Sequence, residues 1–414
     1  IPGIDGDYTL PNVDKNAVLV FSSIGFESQE IAVGGRTTIN VVLKEAAELL
    51  DEVVVIGYGA VKKSDLTSSI ATVKGDEITE TVTGNAMDAL QGKVNGVQVT
   101  SGGGPGATPK VLIRGVTTVN GTNPLYVVDG MPVGDNINFL NSNDIASMEV
   151  LKDASSTAIY GSRGANGVIL VTTRNGQEGR AKVTFDAQIG LAAVRKDYDL
   201  LSPYEYALAL NDIRGSQTIS AADLEAYKNG TKGINWVDLM TRTALTQDYS
   251  IGISGGTEKV KYLLSGNVLD QEAVTINSKY KRYGFRANIN ADLRPWLSIS
   301  PRLNPAIIHQ ENGAPSWFHV LNFSPTMELR DPETGIYNND PYNIGTGNNP
   351  YGVAMENYSD SYSYNVNANL TLLFKIAKGL TFSVQGGYDY DHSPSYSFSS
   401  KLVAPGAINS MNNS

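Results

Sequence analysis

A two-residue alternation of apolar and polar side chains dominates the second half of the chain. In KVTFDAQIGLAAV the odd-numbered positions from 183 to 193 are apolar or small, whereas the even-numbered positions from 182 to 188 are polar. The same period recurs in QDYSIGIS, VKYLLSGNV and RYGFRANINAD, and most clearly in SYNVNANLTLLF and LTFSVQGGYDY. A period of two predicts β-strands with one apolar and one polar face.

Two kinds of sheet produce this alternation, and the half-buried sheet of a water-soluble protein is the commoner one. Three features favour a transmembrane barrel. The predicted strands are about 9–13 residues long, near the roughly 9–11 residues that cross a bilayer. Tyr and Phe cluster at the strand ends, and Asn, Gln, Thr and Ser fill the polar faces, as lipid-side girdles and a wet lumen require. We therefore predict an antiparallel transmembrane β-barrel over residues 181–414. The residues expected to face lipid are Phe185, Ile189, Leu370, Phe374 and Phe382.

The first 180 residues have a different texture. Residues 1–47 contain the short alternating segments DGDYTL, AVLVFSSIGFESQEI and TTINVVLKE, which predict about three or four strands of a small β-sandwich, fewer than a complete one needs. Residues 64–180 combine segments typical of strands with segments typical of helices. ALQGKVNGVQV indicates a helix and a strand, PKVLIRG and NPLYVVDGMPV indicate strands with turns, and SNDIASMEVLKDASSTAIYGSRGANGVILVTT indicates helix, strand, helix, strand. We expect a compact α+β domain here.

The stretch LDEVVVIGYG, from Leu50 to Gly59, lies between these two regions. Its four consecutive β-branched residues predict a strand, but no neighbouring segment has the pattern of a hairpin partner. A strand with unpaired backbone groups recruits other strands. Either a sheet of this chain buries it, or another protein pairs with it.

Composition excludes several classes of protein. The 414 residues carry 32 Lys and Arg against 42 Asp and Glu, a net charge of −10 with no basic stripe, which argues against nucleic-acid binding. Cysteine is absent and the three histidines are scattered, so a thiolate or histidine metal site is not expected. No apolar run of about 18 residues predicts a membrane-spanning helix. The first residue is Ile and no signal peptide is present, so we expect the chain to begin inside a longer precursor.

Three segments partly match the sequence motifs of catalytic or ligand-binding sites. The G-x-S-x-G of residues 252–256 lacks the strand–turn–helix context of a nucleophile, so we predict a hairpin there. GGGPGA at 102–107 precedes a predicted strand rather than a helix, which excludes a dinucleotide site, and Lys110 has no following Ser or Thr, which excludes a P-loop. The segment 338–352 is predicted to be an exposed loop between two barrel strands. It carries oxygen ligands without EF-hand spacing, so calcium is conceivable but no cofactor is predicted.

Long motifs in a fixed order give the chain a specific resemblance. LDEVVVIGYGAVKKSDLTSSI, ALQGKVNGVQV, VLIRG, NPLYVVDGMPV, NDIASMEVLKDASSTAIYGSRGANGVILVTT and SGGTEKVKYLLSGNV resemble the SusC/RagA-type TonB-dependent transporters of Bacteroidetes. Residues 1–47 resemble the carboxypeptidase-regulatory-like extension of that family. The resemblance divides the chain into this extension, residues 48–63 with a TonB box and linker, a plug over 64–180, and the first part of the barrel over 181–414.

The resemblance implies an outer-membrane importer whose plug lies inside the barrel lumen. Such barrels have about 22 strands, and only about seven are recognisable here, so the chain is expected to be part of a longer protein. The implied partners are a SusD-like surface lipoprotein, the TonB–ExbB–ExbD complex, the bilayer with its lipopolysaccharide, and an oligosaccharide or peptide substrate. A dimer of such transporter–lipoprotein pairs is a further expectation. No enzymatic activity is implied.

The resemblance also assigns roles to residues. The TonB box comprises Asp51, Glu52, Val53, Val54, Val55, Ile56 and Gly57. Arg114 and Arg163 are expected to form ion pairs between the plug and acids of the barrel. Gly102, Gly103 and Gly104 are expected to lie near the plug apex and to touch substrate.

Two other functions remain open on the sequence. A barrel-anchored surface receptor or adhesin would bind without transporting and would need no energy-coupling segment. A periplasmic hydrolase of β-sandwich type would need an assembled acid–base pair, which the sequence does not show.

Overall fold

The described chain forms two units. The computed structural model describes residues 9–11, 13–14, 16–21, 29–42, 53–56, 59–62, 70–80, 84–116, 121–195, 199–215, 218–339, 348–403 and 411–413. The compact units are Ile1–Ser69 and Ile70–Ser414, so the predicted plug and barrel belong to one packed body.

The described residues of the first unit form two β-hairpins. β1 (Val18–Phe21) pairs antiparallel with β2 (Gln29–Ala32), as the alternation in this region predicts. The strand predicted in TTINVVLKE is wrong for the described part, because residues 37–42 are not a strand. No described strand pairs with this segment, and without a partner its alternation alone does not make a strand.

The second hairpin corrects the interpretation of LDEVVVIGYG. β3 (Val53–Ile56) is a strand as predicted, but it pairs antiparallel with β4 (Gly59–Lys62), with Val54 opposite Val61. The expectation of no hairpin partner was therefore wrong. GAVK offers backbone groups for pairing although it has no alternation of its own. Asp51, Glu52 and Gly57 lie outside the described residues.

The second unit begins with the plug, whose predicted order of helices and strands is confirmed. Its elements are β5 (Ile70–Lys74), α1 (Gly75–Thr79), β6 (Val97–Thr100), β7 (Lys110–Ile113), β8 (Leu125–Val128), β9 (Met131–Pro132), β10 (Ile145–Leu151), α2 (Ala154–Thr157) and β11 (Val168–Thr173). Short 3₁₀ helices span Ala86–Leu90, Ser142–Asp144 and Ala158–Gly164. A five-stranded sheet has the order β5-β10-β11-β8-β9, and β6 and β7 form a separate ribbon.

Apolar side chains on both faces of the plug sheet form its core. Val73, Ile78, Leu90, Met148 and Ile169 are all almost completely buried there. Ala306, which belongs to the barrel wall, joins the same cluster. The plug therefore packs against the inner face of the wall, as predicted, and does not form a separate domain.

The wall is one antiparallel sheet of long strands. The strands are β12 (Gly179–Ala192), β13 (Ala244–Gly256), β14 (Val260–Glu272), β15 (Ser278–Arg294), β16 (Leu297–Asn312), β17 (Tyr358–Ala377) and β18 (Leu380–His392), with short β19 (Ser395–Phe398) and β20 (Met411–Asn413). The seven long strands have 13–20 residues: β13, β14 and β18 have 13, at the upper end of the predicted range, and the other four exceed it. The longest of them extend beyond a bilayer. None of the described helices is long and apolar enough to cross a membrane.

The side chains of the wall alternate between two faces as predicted. On β15, Arg282 and Arg286 point to the plug, whereas Tyr283, Phe285 and Ile289 point away and are exposed. The predicted lipid-facing residues Phe185, Ile189, Leu370 and Phe382 are exposed on the outer face. Phe374 is half-buried because its ring stacks on Trp296 and contacts Phe382, with centroids 6.2 Å and 6.0 Å away.

The two ends of the wall differ. At one end β13–β14, β15–β16 and β17–β18 are joined by short turns, and the G-x-S-x-G motif ends β13 at such a hairpin as predicted. At the other end long connections carry α3 (Pro203–Arg214), α4 (Ala221–Lys228), α5 (Trp236–Met240), α6 (Trp317–Asn322) and α7 (Pro350–Glu356). Part of the predicted 338–352 loop is therefore helical, because Asn349 caps α7 through Tyr351 N–H and Gly352 N–H.

The helical connections pack on one another. Trp236 contacts Phe323 edge-to-face with centroids 4.9 Å apart, and its indole N–H donates to Ser324 O at 2.9 Å. A capping box between Ser202 and Glu205, with Pro203 at the first turn, begins α3. This S-P-x-E signal was readable in the sequence and marks a helix that the strand pattern did not predict.

We predict that a cation destabilises the protein more on the outer face of the wall than on its inner face. Ile251→Arg places a cation on the outer face and should destabilise the full-length protein in lipid vesicles by about 2–4 kcal/mol, the cost of Arg at a lipid-exposed mid-membrane position. Thr184→Arg places the same side chain on the inner face and should cost less than about 1 kcal/mol. Urea unfolding of both variants measures the difference, and equal costs would contradict the assignment of the two faces.

Candidate functional site: the plug–wall interface

A single carboxylate in the turn between β8 and β9 forms the centre of the plug–wall interface. Asp129 and Gly130 have φ values of 48° and 85°, as the two central residues of a tight hairpin turn require. Asp tolerates this left-handed conformation better than most residues do. The Asp129 side chain accepts hydrogen bonds from Thr173 N–H at 2.9 Å and Thr173 Oγ1 at 2.7 Å, which joins the turn to β11.

Three wall strands converge on this turn. Arg286 of β15 donates to Asp129 Oδ2 at 2.9 Å, and Arg302 of β16 lies 3.7 Å from the same oxygen. The side chains of Arg286 and Asp129 are only 2% and 3% exposed, so water screens this ion pair little. Gln385 of β18 donates to Asp129 O at 3.0 Å. The turn is thus held by both its side chain and its backbone.

Further polar contacts surround this centre on β15. Arg282 donates to Asn138 O at 3.0 Å and to Gly84 O at 3.4 Å. Asn288 donates to Thr173 Oγ1 at 3.1 Å and to Arg174 O at 2.7 Å. Arg282, Arg286 and Asn288 are all fully buried, so their polar groups depend on the plug for partners.

A second plug carboxylate faces β13 and β14. Asp144 accepts a hydrogen bond from Ser265 Oγ at 2.6 Å, and the adjacent Asn143 donates to Ser250 Oγ at 3.0 Å. Burial raises the pKa of Asp144, while the positive charge of Arg286, the Ser265 hydrogen bond and the more distant Arg282 and Arg174 act in the opposite direction. Desolvation is the larger effect, so the pKa of Asp144 is higher in the docked plug than in water.

The glycine loop lies against the wall. A Cβ at Gly106 would overlap the ring of Tyr280, and its φ of 64° also favours glycine. Gln310 donates to Pro105 O at 3.5 Å, and Gly106 N–H donates to Gln271 at 3.3 Å. Gly102, Gly103 and Gly104 are exposed, and the loop precedes β7 as predicted. Their contact with substrate stays a prediction.

The predicted plug–barrel arginines lie outside this interface. Arg114 forms an ion pair with Asp153, which is also a plug residue, and its predicted pairing with a barrel acid stays a prediction. Arg114 follows β7 with φ 58°, and its side chain meets the loop after β10. Arg163 is exposed and forms no ion pair with the residues that the structure describes.

In this interface the acids lie on the plug and the arginines on the wall, whereas the prediction placed arginines on the plug and acids on the barrel. The sequence contained a signal for this arrangement. In RYGFRANINAD the apolar residues occupy odd positions, so Arg282 and Arg286 must occupy the inner face, where a buried cation requires an acid. Among the described residues, no group of three His, Asp or Glu side chains is placed to hold a metal ion.

Similarity to known proteins agrees with this architecture. Residues 62–168 match the family model "TonB-dependent Receptor Plug Domain". TonB-dependent receptor P3 of Formosa agariphila is 36% identical over 97% of this chain and 40% of the relative. TonB-dependent receptor SusC of Bacteroides thetaiotaomicron is 38% identical over 70% of this chain and 29% of the relative. The RagAB peptide importer in its open-open state aligns with TM-score 0.70 and 29% identity, over 84% of this chain and 43% of that one.

The long antiparallel wall with a plug docked on its inner face defines a plugged outer-membrane barrel. The chain belongs to the SusC/RagA-type TonB-dependent transporters. It spans 40% or less of the length of these curated relatives.

We predict that Asp129 holds the plug in place. Asp129→Ala leaves Arg286 and Arg302 without an anion and should weaken plug docking by about 3–5 kcal/mol, because an uncompensated buried charge remains. The measurement is hydrogen exchange of the β8–β11 amides in the full-length protein. Asp153→Ala, which breaks the more exposed Arg114 pair inside the plug, is the control and should cost less than about 1 kcal/mol. Similar costs for both variants would contradict the central role of Asp129.

Asp144 predicts how docking depends on pH. Its raised pKa means that the docked plug binds more protons than the undocked one between the ordinary value of 3.8 and the raised value. Docking stability should therefore fall as pH rises through this window, with a limiting slope of about 1.4 kcal/mol per pH unit for one proton. Asp144→Asn should flatten this dependence and stabilise docking at neutral pH, as followed by urea titrations at several pH values. Glu258→Gln, at an exposed carboxylate in the turn between β13 and β14, should keep the original slope; an unchanged slope in Asp144→Asn would refute the assignment.

Proposed function

We propose that the protein imports a nutrient across the outer membrane and that TonB supplies the energy. The observation that carries this proposal is the docked plug, which blocks the inner face of the wall through buried polar contacts centred on Asp129. A passive pore needs no such plug, and an adhesin needs no plug that can be moved. Polar contacts suit a plug that leaves and returns, because water satisfies the same groups once they separate.

The proposed energy-coupling segment is Asp51–Gly57. Among the described strands β3 pairs only with β4, so its other edge is available to a partner strand. An isolated two-stranded hairpin is marginally stable, so the pairing with β4 is also easily exchanged. Strand addition suits a pulling partner because main-chain hydrogen bonds carry the load with little demand on side chains.

The proposed partner at the other end is a SusD-like surface lipoprotein, and the proposed substrate is an oligosaccharide or a peptide. Long loops of outer-membrane barrels lie outside the cell and short turns lie in the periplasm. The helical connections α3–α7 then face the exterior and offer a folded platform to the lipoprotein. The RagAB relative is a peptide importer, which favours peptide as the first substrate to test.

We predict that Val54→Pro abolishes import. Proline removes a backbone N–H and distorts the strand on which TonB pairs. The test uses the full-length gene in its host, with tryptic casein peptides or maltooligosaccharides as the limiting nutrient. Growth should fail although binding of the labelled nutrient to the cell surface persists. Val54→Thr keeps the N–H and the β-propensity and serves as the matched control.

Normal growth of the Val54→Pro strain would place the coupling segment elsewhere. Normal growth of a strain lacking the whole gene on both nutrients, with surface binding lost, would instead favour a receptor without transport. The two nutrients separate the peptide from the oligosaccharide alternative.

A further inference from the structure

Aromatic side chains lie at two levels on the outer face of the wall. Near the long connections, the ring of Tyr364 stacks on the rings of Tyr362 and His392. Near the short turns, Trp296 stacks on Phe374. About 33 Å of strand separates Tyr364 from Phe374 on β17, which is about 23 Å across a bilayer at a tilt of about 45°. Because aromatic girdles border an apolar band about 25 Å tall, the two levels mark its two interfaces.

The level near the short turns is an apolar cluster on the ends of two hairpins. Trp296 lies in the turn between β15 and β16, Phe374 near the end of β17, and Phe382 near the start of β18. Lys375 N–H donates to Trp296 O at 2.9 Å, which joins the two hairpin ends. Trp296, Leu380 and Phe382 are exposed. We call Trp296, Phe374, Leu380 and Phe382 the hairpin-end cluster. It lies at the depth where lipid headgroups meet acyl chains.

A β-bulge brings a cation to the same face as this cluster. On β15 the register shifts between Asp292 and Arg294, and Arg294 is opposite Leu297. The extra residue, Leu293, reverses the alternation, so Arg294 joins Leu297 on the outer face. Leu297 in turn is opposite Phe374. Arg294 therefore lies one strand away from the hairpin-end cluster, on the surface that faces lipid.

This cation has no carboxylate partner in the described part of the chain. Arg294 Nη1 donates to Leu293 O at 3.0 Å, and Arg294 forms no ion pair with a described residue. Asp292, the nearest acid in the sequence, comes before the bulge and lies on the inner face, where Lys375 pairs with it at 3.8 Å. Lys378, in the turn between β17 and β18, is exposed and likewise pairs with no described acid. Two cations beside an apolar cluster thus lack an anion.

The short turns as a group are basic, although the chain as a whole has a net charge of −10. The three turns with two flanking residues on each side, 255–261, 293–298 and 376–381, contain Lys259, Lys261, Arg294 and Lys378 against the single acid Glu258. An excess of cations at one rim of an acidic protein favours an anionic neighbour there. Because the short turns of an outer-membrane barrel lie in the periplasm, the neighbouring lipid is that of the periplasmic leaflet.

We propose that Arg294, Lys378 and the hairpin-end cluster bind an anionic phospholipid of the periplasmic leaflet. The planar guanidinium of Arg294 suits two oxygens of the headgroup phosphate, and Lys378 adds a second positive charge. The acyl chains cover the exposed rings of Trp296 and Phe382. An acidic protein would neutralise the same cations but would leave the apolar cluster uncovered, so the lipid fits both features. The proposal goes beyond import and does not depend on it.

A fluorophore beside the cluster tests the proposal by reporting the local lipid composition. The 414 residues contain no cysteine, so Ile376→Cys, at an exposed outer-face position between Phe374 and Lys378, gives one label on this part of the full-length protein once any other cysteine is removed. The labelled protein is placed in phosphatidylcholine vesicles. A fixed minor fraction of the lipid is then replaced by phosphatidylglycerol or phosphatidylcholine with brominated acyl chains, which quench on contact. The ratio of the two quenching efficiencies gives the relative association constant of the anionic lipid.

A second label is the matched control for position. Ile253→Cys lies on the outer face near the short-turn end of β13, where the opposed residues Val183 and Leu264 are uncharged. Phosphatidylglycerol should be preferred at least about fivefold at 376, which is the gain from one cation near an anionic lipid surface, and not at 253. An equal preference at both labels would overturn the site, because the attraction would then be diffuse. The absence of a preference at 376 would overturn it directly.

Charge variants with the label at 376 identify the residues that bind. Arg294→Gln should remove most of the preference, and Lys378→Gln should remove part of it. Arg294→Lys should keep an intermediate preference, because the charge remains without the planar fork. Lys182→Gln removes a cation from the inner face of the same rim and should change nothing. A loss in Lys182→Gln as large as in Arg294→Gln, or an unchanged preference in both Arg294→Gln and Lys378→Gln, would overturn the assignment. Urea unfolding in phosphatidylcholine vesicles checks that each variant is folded.

Discussion

The buried ion pair between Asp129 and Arg286 is the interaction on which the rest of the assembly depends. A carboxylate and a guanidinium this far from water are costly unless each meets the other and their remaining groups find partners. Thr173 and Gln385 provide those partners for the turn, and Arg302 adds a second cation. The pair therefore constrains three wall strands and two plug strands at once. Since either partner alone would be a buried, uncompensated charge, the pair selects one docked position of the plug among those that shape alone would allow.

Turn chemistry and electrostatics meet in the same residue. The β8–β9 turn needs residues that tolerate positive φ, and Asp followed by Gly is among the best pairs for such a hairpin. Asn would serve the turn equally well, but only Asp also brings a negative charge to Arg286. The position thus satisfies a local backbone requirement and a long-range one, and neither requirement alone explains it.

Much of the fold was predictable because strand alternation is a local property. Odd and even positions of β15, β17 and β18 point as their sequence pattern predicts, and the outward position of Phe185 and Ile189 follows from it. The plug–wall contacts were harder to predict from the sequence. Arg114 was expected to reach the wall because it is a plug cation, but its direction is set by the φ of its own residue and by the position of Asp153. The pairing of β3 with β4 was missed for a related reason, since GAVK has no pattern that identifies it as a partner. Pairing between segments depends on tertiary register, which no single segment encodes.

The plug sheet also separates its contact with the wall from its first strand. The ion pair at Asp129 and strand β5 lie at opposite edges of the same sheet, with β10, β11 and β8 between them. Interior strands have ladder hydrogen bonds on both sides, whereas β5 pairs with β10 alone among the described strands. The buried charges at Asp129 therefore fix the edge of the sheet that is farthest from the chain leading into β5.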